Sequence, residues 1–256
     1  MLRIASGYLL TAGAAVLVVA FVFAPRMLAG GDFADEAELR TAFGESFAAQ
    51  WRTGAATPEL DAVVDYWFRY HVAKAALAAL LLVVLVALAV GIWKRFAHNR
   101  IGTGRRIALA GAGSGVTLLG LLALLTVLAN VQGALAPYAS LLPMLSAPEL
   151  ADVRGPLSEV VHADATPGPV LDAMIGDFAR FHAVLAVVAA LTVATLAVLA
   201  WTAWRLRGTG TTQRIVVSYG VLSALTAAAL VVVVVANTTT AADPGPALLA
   251  FVDGGW

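Results

Sequence analysis

Five stretches of this chain are each long enough to cross a lipid bilayer as a helix, and they limit its fold more tightly than any other feature. They run from Tyr8 to Ala24, Val72 to Trp93, Ile107 to Ala129, Ala183 to Trp204, and Ile215 to Ala236. About 20 apolar residues in an α-helix span the hydrocarbon core. In that medium the backbone must satisfy its own hydrogen bonds, which a helix does. None of the five contains an acidic residue. Lys74 is the only charge inside them, one turn from an end, where its alkyl stem can snorkel outward. The chain is 61% hydrophobic and 12% charged, against about 45–50% and about 25% in soluble domains. The expected class is therefore an all-α polytopic membrane protein with five transmembrane helices.

The charges between the spans predict an orientation. Lys94, Arg95, Arg100, Arg105 and Arg106 lie between spans two and three, and Arg205, Arg207 and Arg214 between spans four and five, with no acid in either segment. All sixteen acidic residues fall in the other segments. The positive-inside rule places the basic loops and the N-terminus in the cytoplasm and the C-terminus outside. The Ala- and Val-rich composition points to a bacterial plasma membrane. The first span has a basic start, but Ala24-Pro25-Arg26-Met27-Leu28 is a poor small-x-small cleavage site, so a retained signal anchor is expected.

An internal repeat organises the rest. Shifted by 111 positions, Pro58 to Phe96 overlays the later sequence without a gap, with fourteen of thirty-nine residues identical. Ala and Leu matches are cheap in membrane helices. The informative pairs are Pro58 with Pro169, Asp61 with Asp172, Arg69 with Arg180, His71 with His182, and Trp93 with Trp204. After the basic loop the match resumes at an offset of 107, pairing Asn130 with Asn237, Pro137 with Pro244, and Leu141-Leu142 with Leu248-Leu249. Each copy reads as a helical hairpin. Two copies of the same orientation imply a pseudo-two-fold axis along the membrane normal. The expected organisation is an N-terminal transmembrane helix over 1–30, an amphipathic segment over 31–56, hairpin one over 57–145, a connecting segment over 146–167, and hairpin two over 168–256.

Local signals place the helix ends. Thr57-Pro58-Glu59 reads as an N-cap, a proline at the first helical position and an early acid. That helix is expected to run unbroken from Pro58 through Trp93, and Gly168-Pro169 begins the second copy in the same way. Leu39, Phe43, Phe47 and Trp51 recur every four residues from Ala34 to Trp51, the stripe of an amphipathic helix. Its acidic polar face argues against binding anionic lipid. The stripe either packs across the spans or docks a partner, and these four are the candidate partner-binding residues. The stretch from Ala147 to Val161 is expected to be broken by Pro148 and Pro156.

His71 and His182 are the candidate cofactor-binding residues. They occupy equivalent positions near one end of their spans, each with an aromatic one turn before it (Trp67 or Phe178) and alanines one and two turns after it. Two neutral imidazoles at one depth on paired helices are the ligand set of a b-type haem. The alternative is an interfacial Arg-aromatic-His anchor that packs and hydrogen-bonds a neighbouring helix. Asp61 and Asp172 lie ten positions upstream, about 15 Å along a helix, too far to share a metal with the histidine of their own helix. Arg69 and Arg180 are expected to pair with Asp65 and Asp177 at helix-neighbour spacings. Asn130 and Asn237 are expected to cap helix ends, with a bond to the His-bearing helices as the alternative. Gly111-x-x-x-Gly115 is a helix-packing motif, and Gly102-Thr103-Gly104 and Gly208-Thr209-Gly210 read as short turns.

Several function classes lack their residues. The chain has no cysteine, which excludes disulfides, thiolate metal sites, iron–sulfur clusters and covalent c-type haem. Zero net charge gives no general pull toward nucleic acid. No mid-span carboxylate or arginine offers a proton relay, and no His-Glu-x-x-His or phosphate-binding glycine loop occurs. The leading expectation is a non-enzymatic accessory or docking protein whose partners are the bilayer and other membrane or extracytoplasmic proteins. A cofactor-binding electron-transfer subunit using His71 and His182 is the alternative. A small transporter or channel is the third.

Overall fold

The computed structural model describes residues 2–97, 102–163, 165–205 and 211–255. His98, Arg100, Arg207 and the Gly208-Thr209-Gly210 segment lie outside them. Among the described residues the chain is all-α, with no strand. The helices are α1 (Leu2–Leu28), α2 (Glu36–Thr53), α3 (Pro58–Phe96), α4 (Thr103–Leu135), α5 (Pro137–Leu141), α6 (Ala147–Ala163), α7 (Pro169–Arg205), α8 (Thr211–Ala242) and α9 (Pro244–Val252), with a 3-10 turn at Leu142–Met144 after α5. Five of these, α1, α3, α4, α7 and α8, are long and apolar enough to cross a membrane. The chain is a polytopic membrane protein. Val16, Val83, Leu125, Val187 and Val232 all stand exposed on these helices, the surface that hydrocarbon covers and water would not tolerate in such quantity.

The helices begin where local chemistry places them. Thr57 Oγ1 accepts the N–H of Leu60 at 3.3 Å ahead of Pro58, and Asp35 accepts the N–H of Glu38 at 2.9 Å to start α2. Gly54 closes α2 in the left-handed region with φ 70°, a conformation glycine adopts without a Cβ penalty. Helix α6 corrects the expected break. It runs from Ala147 to Ala163 with Pro156 inside. Pro148 sits in the first turn, where a missing N–H costs nothing. Pro156 is exposed, so the carbonyl it leaves without a donor can turn to solvent. Thr103 and Gly104 likewise belong to α4 rather than to a turn.

The chain divides into two compact units. One comprises Met1–Asp32 and Phe68–Ala134, so it holds α1, most of α3 and nearly all of α4. Its interior is thin: Ala78 is 1% exposed, and Leu85 and Ala123 are also buried. Gly113 meets the Trp93 indole, whose Nε1 donates to Thr117 Oγ1 at 3.2 Å. Gly111 and Gly115 have open space where a Cβ would sit, so the glycine between the expected packing pair is the one in contact.

The other unit comprises Phe33–Trp67 and Leu135–Trp256. Here α7 and α8 form a hairpin, and α2, α5, α6, α9 and the first turns of α3 and α7 build a helical cluster at its acidic end. Phe43, Phe47, Leu141, Val153, Met174 and Leu248 are essentially inaccessible. Each such side chain contributes about 1.5–3 kcal/mol by leaving water. Phe43 meets Tyr138 edge-on at 6.2 Å, and Phe47 stacks on Trp51 at 6.0 Å.

Candidate functional site

The two histidines lie one in each unit. In the unit containing α7 and α8, His182 lies 4.6 Å from the Phe178 ring and 5.6 Å from the Phe181 ring, centroid to centroid. Its Nδ1 is 2.7 Å from Asn237 Oδ1. The amide orientation is fixed because Asn237 Nδ2 donates back to the Val233 carbonyl at 2.8 Å. An oxygen facing the ring must accept, so Nδ1 carries a proton, and in the neutral ring Nε2 holds the lone pair. The expected capping role of Asn237 is thereby corrected. Helix α8 continues five residues beyond it, and the side chain bridges to the His-bearing helix instead. Asn130 makes the same back-bond, to the Thr126 carbonyl at 2.7 Å, and α4 also runs on past it.

In the other unit, His71 packs on the backbone of α4 at Gly133. A Cβ added there would collide with His71 Cδ2 and Nε2, so only glycine lets the ring lie this close. The repeat counterpart of Gly133 is Thr240. Its Oγ1 bonds back to the Ala236 carbonyl. His71 thus turns its Nε2 edge to a helix backbone. Tyr70 meets His71 edge-on at 5.8 Å.

The motif residues around them divide between structure and surface. Pro58 and Pro169 open α3 and α7, and Asp61 and Asp172 are exposed in the first turns. Arg180 pairs with Asp177 at 3.0 Å, as their spacing predicts. Arg69 reaches Asp32, in the turn after α1, at 3.3 Å. Leu39, Phe43 and Phe47 are buried and Trp51 is half-buried. The stripe is covered by the chain itself. Among the described residues, no group of three or more His, Asp or Glu side chains is placed to share a metal ion.

A second polar centre carries no motif that announces it. Helix α5 starts at Pro137 after Ala136, which has no capping side chain. Asp177, reaching across from α7, accepts the N–H of Ala139 at 2.8 Å and a further backbone bond from Tyr138. A carboxylate from another helix therefore caps α5. Beside it, the Tyr138 hydroxyl is buried with no hydrogen-bond partner among the described residues. Burial pushes its pKa well above the usual tyrosine range, and the negative charge of Asp177 adds to the effect. Ser140 Oγ receives the Trp67 indole N–H at 2.7 Å, tying α5 to the start of α3. The only advance sign of α5 is Pro137 itself, a proline at a first helical position.

Fold and site together define a class: a five-span helical membrane protein with a packed helical cluster at the acidic end of its α7–α8 hairpin and one packed imidazole in each unit. Comparison with protein-family models, curated proteins and solved structures finds no match to this chain.

Proposed function

We propose that this chain is a non-enzymatic, multi-pass protein of a bacterial plasma membrane, with its N-terminus in the cytoplasm. It serves as a docking protein or accessory subunit through its extracytoplasmic helices. The observation that carries this reading is the makeup of the acidic cluster. It turns Leu39, Phe43 and Phe47 inward and leaves Glu36, Asp61, Asp152, Glu159 and Asp172 at the surface. A folded, carboxylate-lined surface with its apolar stripe already spent suits a reversible polar interface better than insertion among lipids. Affinity purification from native membranes in mild detergent tests it. A partner recovered at stoichiometric level in low salt and released in high salt, where charges are screened within about 3–8 Å, is the expected result. A lone chain under both conditions overturns the proposal.

A second reading rests on His182. A ligating imidazole is commonly fixed by a hydrogen bond from its other ring nitrogen, and the Asn237 bond supplies one, leaving the Nε2 lone pair for a cofactor such as b-type haem. Absorption spectra of protein purified from its native host, oxidised and reduced, decide it. A Soret band lost in His182→Ala supports it, and a featureless spectrum at full protein recovery removes it.

A further inference from the structure

Lys74 breaks the repeat, since its counterpart in the second hairpin is Leu185. It is the one charge within the spans, and the structure does not give it a carboxylate. Its ammonium lies 5.0 Å from the centre of the Phe21 ring on α1 and 5.1 Å from that of Tyr70 on α3. Among the described residues no acid pairs with it. Two ring faces steady a half-buried ammonium, but they leave its hydrogen-bonding capacity open to an anion.

A groove of about 260 Å³ begins at the same place, in the same unit. Phe21, which lies under the ammonium, is also part of its wall. Ala78, one turn beyond Lys74, continues the wall, followed by Leu81 and Leu85 on α3, with Ala15 on α1 and Leu122 on α4 opposite. From Lys74 to Leu85 is eleven residues of helix, about 16 Å at 1.5 Å per residue. Half of a hydrocarbon core about 30 Å thick is about 15 Å. Groove and ammonium together therefore span the depth of one leaflet, with a lining that is apolar apart from Thr126 and a cation at the end where a headgroup lies.

We propose that this groove holds one acyl chain of an anionic phospholipid from the leaflet on the acidic side of the spans, with the lipid phosphate on Lys74. Charge complementarity favours this occupant over a second transmembrane helix, for which an uncompensated ammonium at the contact is a cost. The proposal is independent of the docking reading above.

The test is native mass spectrometry of the full chain in detergent supplied with equal amounts of phosphatidylglycerol and phosphatidylcholine. The wild type is expected to retain a single lipid, favouring phosphatidylglycerol about fivefold, the factor for one lysine at a headgroup, worth about 1 kcal/mol. Lys74→Gln should bring the ratio near one, and Lys74→Arg should keep the preference, which shows that charge rather than fold is being read. Ala15→Phe, filling the groove from the exposed helix α1, should lower retention of both lipids. Lys94→Gln, at the opposite end of the span, should leave the ratio unchanged. Equal retention of the two lipids by the wild type, an unchanged ratio in Lys74→Gln, or an equal loss in Lys94→Gln overturns the proposal.

Discussion

Replacing Asp177 with alanine removes the cap of α5 without touching α5 itself. The carboxylate accepts the Ala139 N–H at 2.8 Å and a bond from the Tyr138 backbone. A neutral side-chain cap is worth about 1 kcal/mol, and a charged acceptor about doubles a hydrogen bond. Arg180 is 64% exposed, so its ion pair adds at most about 1 kcal/mol and is left out of the sum. The loss is about 2 kcal/mol, which is about a 30-fold rise in local opening at 1.4 kcal/mol per decade. Native-state hydrogen exchange reads that opening directly. In Asp177→Ala the amides of Tyr138 to Leu141 should exchange about 30-fold faster, while mid-span amides of α7 stay unchanged. Asp177→Asn, which keeps an acceptor and loses the charge, should fall between. If α5 exchange stays within about threefold of wild type, the carboxylate is not what holds this helix end.

Four further outcomes follow from the packing. Tyr138→Phe removes a buried hydroxyl that has no partner among the described residues, a group that costs about 1–3 kcal/mol when unsatisfied. It should be neutral or raise the thermal midpoint, and a clear drop would mean the hydroxyl is bonded. The raised pKa of the same group has a signed consequence. Above the ordinary tyrosine value of about 10, the unfolded chain releases this proton while the folded chain keeps it, so folding stability contributed here is complete at neutral pH and declines as pH rises further. Absorbance titration should accordingly find a tyrosine component that ionises above the ordinary range, and that component should vanish in Tyr138→Phe. Phe43→Ala empties a fully buried position and should cost about 3–5 kcal/mol, seen as a lowered midpoint in detergent; a shift corresponding to under about 1 kcal/mol would place Phe43 outside the core. Gly133→Ala should destabilise although alanine is the better helix former by about 1 kcal/mol, because its Cβ enters the His71 ring, and adding His71→Ala should reverse the sign; a gain in stability with His71 present refutes the close contact.

The helix starts were legible because they depend on neighbours in sequence. Thr57-Pro58 and Gly168-Pro169 each placed an end, whereas the Asp35 cap of α2 came to light only in the structure. The amphipathic α2 was legible because one of its faces meets water. Helices α5 and α9, and the continuity of α6 through Pro156, were not, since five to nine residues carry too little periodicity and an exposed proline is tolerated where a buried one is not. The rotational phase of the spans was also hidden. In a bilayer the inner and outer faces of a helix are both apolar, so Val, Leu and Ala give no sign of which side is covered. Ala78, buried, and Val83, exposed, look alike in that respect. The polar contacts across helices followed from that phase. Asn237 meeting His182, Gly133 admitting His71 and Asp177 reaching α5 all needed the packing, whereas Arg180 with Asp177 needed only the spacing.

The bond between His182 and Asn237 also settles where along its length α8 stops sliding. Val231 to Val235 is an unbroken run of valine, and such a surface fits a neighbouring apolar helix almost equally well after a slip of one turn, about 5.4 Å. Slipping four residues would set Val233 or Ala241 opposite the imidazole, and neither side chain can accept its proton. Interhelical hydrogen bonds in bilayers average only about 0.6 kcal/mol, too little to drive two helices together but enough to choose between otherwise near-equal alignments. A single amide thus acts as an index mark, giving a featureless stretch of hydrocarbon side chains one position in which to rest.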